Sequence, residues 1–330
     1  MKLATLKNGT RDGMLVVVSR DLQLAVSAAD IAETLQQALE NWDDVAPFLQ
    51  ARFDALQSGK ADEAFPFEPQ NAMAPLPRAW QWLDGSAFDS HGELMDKVFG
   101  LAPMDRQGRP LMYQGVSDKF YAPTEDVVFA SQEEGIDFEG EFGVIVDETP
   151  LGVSPAEAAS HIRLIVQIND WSLRKLAPIE MKTGFGWVQA KPPCAMAPVA
   201  VTPDELGDAW RNSRVVMDLQ VSWNDKPFGA ANGEHMSSGF DELVAHAAHS
   251  RTLVAGTVIG SGTVSNHNYR EVGSSCIAER RGIEMMDLGE AKTAFMAFGD
   301  KVKMQVLDSD GQSVFGAIDQ QVVSAHSNNQ

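Results

Sequence analysis

Four acidic residues sit where ordinary fold chemistry prefers something else. They are Asp84, the Glu139/Glu141 pair inside IDFEGEFGVIV, and Asp170 closing the apolar run LIVQIND. A strand interior favours apolar or β-branched side chains, because a buried carboxylate without a partner is costly. Side chains two apart on a strand point to one face, so Glu139 and Glu141 are expected side by side. Two carboxylates held together repel unless a cation or a shared proton lies between them. The simplest chemistry is a divalent-metal site built from oxygen ligands. Plainer readings exist: a solvated strand face for Glu139 and Glu141, an Asx cap for Asp170, and a turn before Gly85 for Asp84. With 46 acids in 330 residues, chance supplies roughly six acidic pairs at that spacing, so the pair needs support from its surroundings.

The elements that must carry these residues can be read coarsely. KLATLK, MLVVVS and LQLAVS read as short strands, with turns at Gly9, Asp12-Gly13 and Arg20-Asp21. Ser27 reads as the N-cap of a helix over ADIAETLQQALENW, and a second helix follows in VAPFLQARFDALQSG, ending at Gly59. Together these predict a small N-terminal α+β domain, residues 1–72. The stretch AFPFEPQNAMAPLPR, residues 64–78, holds four prolines and little charge and reads as the connection. Beyond it, VVFAS, FEGEFGVIV, IRLIVQI, VVMDLQVSW, TVIGSGTV and KVKMQVLD are candidate strands, with helices in PAEAASHI and FDELVAHAAHS. That density predicts a mostly β (α+β) catalytic domain over 73–330 rather than a doubly wound α/β sheet.

Composition excludes several classes. The chain is 44% hydrophobic and 22% charged, ordinary for a soluble globular protein. No apolar run approaches the ~20 residues that cross a bilayer, and MKLATLKNGTRDG lacks a secretory signal's apolar core. Lys and Arg total 26 against 46 acids, a formal net charge of −20. Such a surface repels phosphate backbones and anionic lipid, so neither nucleic acid nor membrane is an expected partner. Cys194 and Cys276 form no CxxC pair and no zinc spacing, which fits a reducing cytoplasm. His246 and His249 share a helical face without a third ligand and read as structural.

PRAWQWLDGSAFDSH, GIDFEGEFGVIV, IVQINDWSLR, VQAKPPC and VIGSGTVS occur in this order, and together they resemble the fumarylacetoacetate hydrolase family along nearly the whole chain. The N-terminal MKLATLKNGTRDGMLVVVSRD resembles that family's small N-terminal domain. The resemblance implies a rolled mixed β-structure, usually homodimeric, that cleaves or rearranges small oxo acids with Mg²⁺, Mn²⁺ or Ca²⁺. Its metal ligands fall on Asp84, Glu139, Glu141 and Asp170. An all-oxygen set suits a hard cation and disfavours zinc or copper. His91, seven residues after Asp84, takes the place of the family's catalytic histidine, with Glu279 in GSSCIAERR as its carboxylate partner.

Lys191 matches the family's active-site lysine, a charge for the oxyanion or carbanion formed as a C–C bond breaks. Tyr113 in MYQG corresponds to the family's substrate-contacting tyrosine; Arg174, four residues past Asp170, reads as an ion-pair partner of the ligands at the substrate site, and Gly262 and Thr263 in GSGT as donors for a substrate carboxylate. Ser86 stands where the founding enzyme has a tyrosine. That enzyme's substrate-binding arginine would fall near Gly100, leaving Arg106 or Arg109 as replacements, and its glutamine falls near Ala177. The expected reaction is hydrolysis of a β-diketo acid, fumarylacetoacetate first, late in aromatic amino-acid breakdown. Acylpyruvate cleavage, oxaloacetate decarboxylation and oxo-dienoate isomerisation are the enzyme alternatives. A non-catalytic metal- or ligand-binding relative is the alternative of another class.

Overall fold

Runs such as MLVVV and LIVQIN are apolar at nearly every position rather than every second one, which requires a sheet covered on both faces. The computed structural model, which describes residues 1–99 and 107–326, contains that sheet. It has eleven strands. In spatial order ten of them are Phe65–Pro66, Leu24–Ser27, Met14–Val18, Lys2–Leu6, Val199–Val201, Ile162–Asn169, Gly140–Val146, Thr257–Gly260, Trp82–Gly85 and Met112–Gly115. Ala195–Met196 pairs off the side of Ile162–Asn169. Neighbours are antiparallel except Thr257–Gly260 against Trp82–Gly85.

One face buries Leu15, Val17, Ile145, Leu164 and Val166 with Leu35, Leu39, Leu49 and Phe53 of the N-terminal helices. The other buries Val16, Val18, Val144 and Val146 with Phe142, Leu219 and Phe315. Leu219 and Phe315 come from a five-stranded sheet ordered Lys226–Asn232, Asp218–Trp223, Lys301–Leu307, Ser313–Ser324, Val127–Phe129. The two sheets approach closely at Gly140, where an added Cβ would lie 2.7 Å from Leu219 Cδ2. Mixed sheets with peripheral helices make the α+β class expected from the sequence.

Several local readings need correction. Ser27 ends a strand and does not cap a helix; the cap is Thr34, whose side chain accepts from Gln37 N–H, and the helices run Leu35–Glu40 and Trp42–Gln57. TVIGSGTV stays extended only to Gly260, because Gly262 adopts φ +76° and turns the chain. Two helices escaped the pattern, Asp89–Phe99 and Ile277–Leu288, and these carry His91 and Glu279. The N-terminal strands are continuous with the rest, since Lys2–Leu6 pairs with Val199–Val201. The proline-rich connection lies along them, with Met73 N–H donating to Thr5 O at 2.8 Å.

Candidate active site and metal centre

Asp84 projects from Trp82–Gly85 and pairs in register with Gly260 on one side and Tyr113 on the other. A Cβ on Gly260 would lie 2.3 Å from Asp84 Oδ1, so the missing side chain makes room for the carboxylate. Gly260→Ala is therefore expected to destabilise the protein by about 1–3 kcal/mol and to weaken cation binding. Thermal unfolding with and without Mn²⁺ checks this; an unchanged cation response would mean that Asp84 does not need that space.

Glu141 lies near the start of Gly140–Val146, and Asp170 follows directly on Ile162–Asn169. One oxygen from each of Asp84, Glu141 and Asp170 lies within 4.8 Å of the others, and all three residues are buried. No donor among the described residues reaches either oxygen of Glu141. Buried carboxylates left this way are expensive. Burial and then the Asp170 charge push Asp84 well above the usual carboxylate range, and burial with Asp84 and Asp170 does the same to Glu141. A hard divalent cation relieves both costs, so the residues present fit one.

Glu139 does not join that group of three. The strand begins at Gly140, and Glu139, just before it, forms an isolated bridge with Cys276 while its charge still acts on Asp84 and Glu141. Its Oε1 accepts from Ser172 Oγ at 2.5 Å and Lys191 Nζ at 2.6 Å and pairs with the Arg174 guanidinium at 3.0 Å; its Oε2 accepts from the Thr263 hydroxyl. Burial acts to raise the Glu139 pKa, but Arg174 and Lys191 outweigh it and hold the group well below the carboxylate range. Lys191 Nζ also donates to Asp170 Oδ2 at 2.5 Å. Burial opposes the lysine's charge, yet Asp170 and Glu139 raise its pKa above the ordinary value. Lys191 thus bridges Asp170 of the cluster to Glu139.

The same Asp170 Oδ2 accepts from Tyr113 OH at 2.8 Å, and Oδ1 accepts from Cys194 Sγ at 3.0 Å. Burial and the Asp170 charge raise the Cys194 thiol well above its usual pKa, so it acts as a neutral donor. Arg174 pairs through Nε with buried Asp137 at 2.7 Å as well as with Glu139, the ion-pair placement expected of it.

His91 and Glu279 meet across two helices. An added Cβ on Gly282 would lie 2.8 Å from Met95 Cε and 3.2 Å from Val98 Cγ2, so glycine there lets the Asp89–Phe99 and Ile277–Leu288 helices approach. Glu279 lies one turn before Gly282, and its Oε2 is 3.1 Å from His91 Nδ1. Glu279 is fully buried, while the His91 side chain keeps 17% exposure. The two centres are tied together by one segment. Gly262 N–H donates to Asp84 Oδ1 at 3.1 Å, Thr263 to Glu139, and Ser265 Oγ to Glu279 Oε1 at 3.0 Å. Gly262 and Thr263, expected to meet substrate, are thus engaged with carboxylates. Ser86 lies against this turn, its Cα 3.0 Å from a Cβ built on Gly262. Arg106 lies outside the described residues, and Arg109 lies close enough to His246 to add to burial in lowering that imidazole's pKa.

Sequence reading missed Asp137, Ser172, Cys194 and Ser265. Asp137 accepts the N–H groups of Ile277 and Ala278 at 2.7 and 2.9 Å, capping the helix that bears Glu279. Its only signal was its place two residues before Glu139. Cys194, three residues after Lys191 in AKPPC, had a comparable one.

A mixed α+β fold with an all-oxygen acidic centre beside a histidine–glutamate pair defines a candidate metalloenzyme. The chain belongs to the fumarylacetoacetate hydrolase family: residues 81–323 match the family described as fumarylacetoacetate (FAA) hydrolase C-terminal, and residues 1–78 match fumarylacetoacetase N-terminal domain 2. Among curated relatives it is similar to a 2,4-didehydro-3-deoxy-L-rhamnonate hydrolase of Sphingomonas sp., 28% identical over 47% of this chain and 52% of that protein. It is also similar to the fumarylacetoacetase of Dictyostelium discoideum, 25% identical over 51% and 46%. The chain spans about half the length of these relatives. Among solved structures, the maleylpyruvate hydrolase of Sphingobium sp. SYK-6, in complex with manganese(II) and pyruvate, shares the fold at TM-score 0.66 and 17% identity over 98% of this chain and 99% of that one. A probable 2-hydroxyhepta-2,4-diene-1,7-dioate isomerase from Mycobacterium abscessus gives TM-score 0.67 at 16% identity over 98% and 99%. No helix among the described residues is long and apolar enough to cross a membrane.

Proposed function

We propose that this protein is a divalent-cation-dependent hydrolase that cleaves a C–C bond in a β-diketo acid, with fumarylacetoacetate, giving fumarate and acetoacetate, as the leading substrate. The observation that carries the reading is the meeting of buried Asp84, Glu141 and Asp170 with no donor on Glu141. Those three would hold the ion, with Glu139 close by in the ion-pair network. When bound, Mg²⁺, Mn²⁺ or Ca²⁺ supplies Lewis-acid polarisation of the substrate's oxo and enol oxygens.

The rest falls to the chain's own groups. Glu279 accepts from His91 Nδ1, which fixes the tautomer that leaves Nε2 free to take a proton from water. The hydroxide attacks the carbonyl to be cleaved, and Glu279 stabilises the imidazolium that results. The C–C bond breaks with its electron pair going to the departing enolate, and His91 returns its proton to that carbon. Lys191, held charged by Asp170 and Glu139, offsets negative charge developing beside it. A homodimer in the cytoplasm acting on a small oxo acid completes the proposal, and a net charge of −20 supports leaving out nucleic acid and membrane.

Acylpyruvate cleavage, oxaloacetate decarboxylation or oxo-dienoate isomerisation is the second reading. Its support is Ala177 where the founding enzyme has a substrate-binding glutamine, together with relatives named for other oxo acids. Loss of ultraviolet absorbance from fumarylacetoacetate, with Mg²⁺ and with chelator, tests the first reading. No loss, with turnover of acylpyruvate or oxaloacetate, transfers the activity to the second. Cation binding without turnover of any of these leaves a binding protein.

A further inference from the structure

Residues 174–189 leave the sheet and return beside the site. Leu173 N–H donates to Ala190 O at 2.8 Å, closing the base of the excursion, and Lys191 follows immediately. Its short helix, Ala177–Met181, has no buried residue. Leu176 packs against the core at its start, but beyond it Ile179 is 64% exposed, Met181 65%, Phe185 97% and Val188 83%, so little apolar packing holds the returning limb. Polar bonds do. Glu180 accepts from the N–H groups of Val188 at 3.1 and 3.2 Å, Gln189 at 2.9 Å and Ala190 at 2.9 Å. One carboxylate thus fastens three successive residues of the returning limb. Bonds of this kind, to a charged acceptor, are the strong ones. They also lower the pKa of Glu180, the Gln189 N–H most of all, so the group is ionised at neutral pH.

What the fastened limb presents is Trp187, whose ring meets Tyr113 edge-on at 6.0 Å and 75°. Tyr113 in turn donates to Asp170, and Lys191 Nζ lies 5.4 Å from the Tyr113 ring centre. We infer that Glu180 is a positioning residue: by gripping the Val188–Ala190 backbone it sets Trp187 against Tyr113 and delivers Lys191 to Asp170 and Glu139. The consequence for turnover rests on the active-site reading above, whereas the grip itself does not.

The experiment therefore reads both in the intact protein, using Glu180→Ala and Glu180→Gln. In Glu180→Ala, hydrogen exchange at the amides of 188–190 should quicken roughly ten- to a hundredfold. Trp187 emission, isolated as the difference against a Trp187→Phe partner in the same background, should shift to the red. The rise in melting temperature on adding Mn²⁺ should persist, because Asp84, Glu141 and Asp170 lie outside the excursion. Turnover of the oxo acid the wild type prefers should fall about tenfold or more in kcat/KM, and Glu180→Gln, which keeps one acceptor oxygen, should recover part of every loss. Unchanged exchange and emission overturn the inference. Faster exchange with kcat/KM within about twofold of wild type also overturns it, by showing that the grip shapes only the loop. A wild type without turnover defeats the active-site reading instead, and exchange and emission then decide on the grip.

Discussion

On the proposed function, replacing Glu141 with alanine is expected to remove activity almost wholly, by roughly a thousandfold or more in kcat, since several kcal/mol of transition-state stabilisation would pass through the cation that Glu141 would help to hold. The paired expectation concerns stability and has the opposite sign. Glu141 is completely buried beside Asp84 and Asp170 with no donor on either oxygen, so without a cation its charge costs the fold. Glu141→Gln keeps the shape and removes that charge, and the cation-free variant should unfold at the same temperature as wild type or higher. In cation-free wild type, Asp84 and Glu141 carry folded pKa values above the ordinary 3.8 and 4.5. The folded chain then binds protons more readily than the unfolded one, so this contribution to stability grows as pH falls from neutrality toward about 4.5. Glu141→Gln should flatten that rise, and added Mn²⁺ should erase it. Scanning calorimetry between these pH values, with and without chelator, reads all three; a cation-free Glu141→Gln protein well below wild type in stability would contradict the account of a strained acidic centre.

His91→Ala should lower kcat by roughly 10²–10⁴-fold, the usual worth of a positioned general base, while leaving cation binding intact. Glu279→Gln should act in the same direction but less, because it retains an acceptor for Nδ1 and loses only the charge that stabilises the imidazolium. The two losses should not add, since Glu279 acts through His91. Kinetics of the single and double variants with saturating Mn²⁺ check this. Near-normal turnover by His91→Ala would remove the histidine from the reaction, and full additivity would separate Glu279 from it.

The fold class was legible because its signal is dense: MLVVV, GVIV and LIVQIN are short β-branched apolar runs, and all three form strands. Glu139, Glu141 and Asp170 stood out for the same reason, as acids inside or closing apolar runs, whereas Asp84 was marked only by its spacing to His91. What the sequence hid was partnership. Glu139 lies one residue before its strand begins, and its carboxylate is taken up by Lys191, Arg174, Ser172 and Thr263, groups far apart in the chain that only the fold brings together. The His91–Glu279 meeting depends on the close approach of two helices at Gly282, across 188 positions of sequence separation, and no local pattern records such a contact. Glu180, and Asp137 in its helix-capping role, were invisible for another reason: the partners are backbone N–H groups, which every residue carries.

The central claim is that Asp84, Glu141 and Asp170 together grip one hard cation. Titration of chelator-stripped protein with Mn²⁺ by calorimetry, in two buffers of different ionisation heat, tests it most directly, with a triple Asp84→Asn, Glu141→Gln, Asp170→Asn variant alongside. The account predicts a single saturable ion per chain in wild type, net proton release on binding, and no binding in the variant. Absence of saturable binding in wild type, or equal binding in the variant, would contradict it.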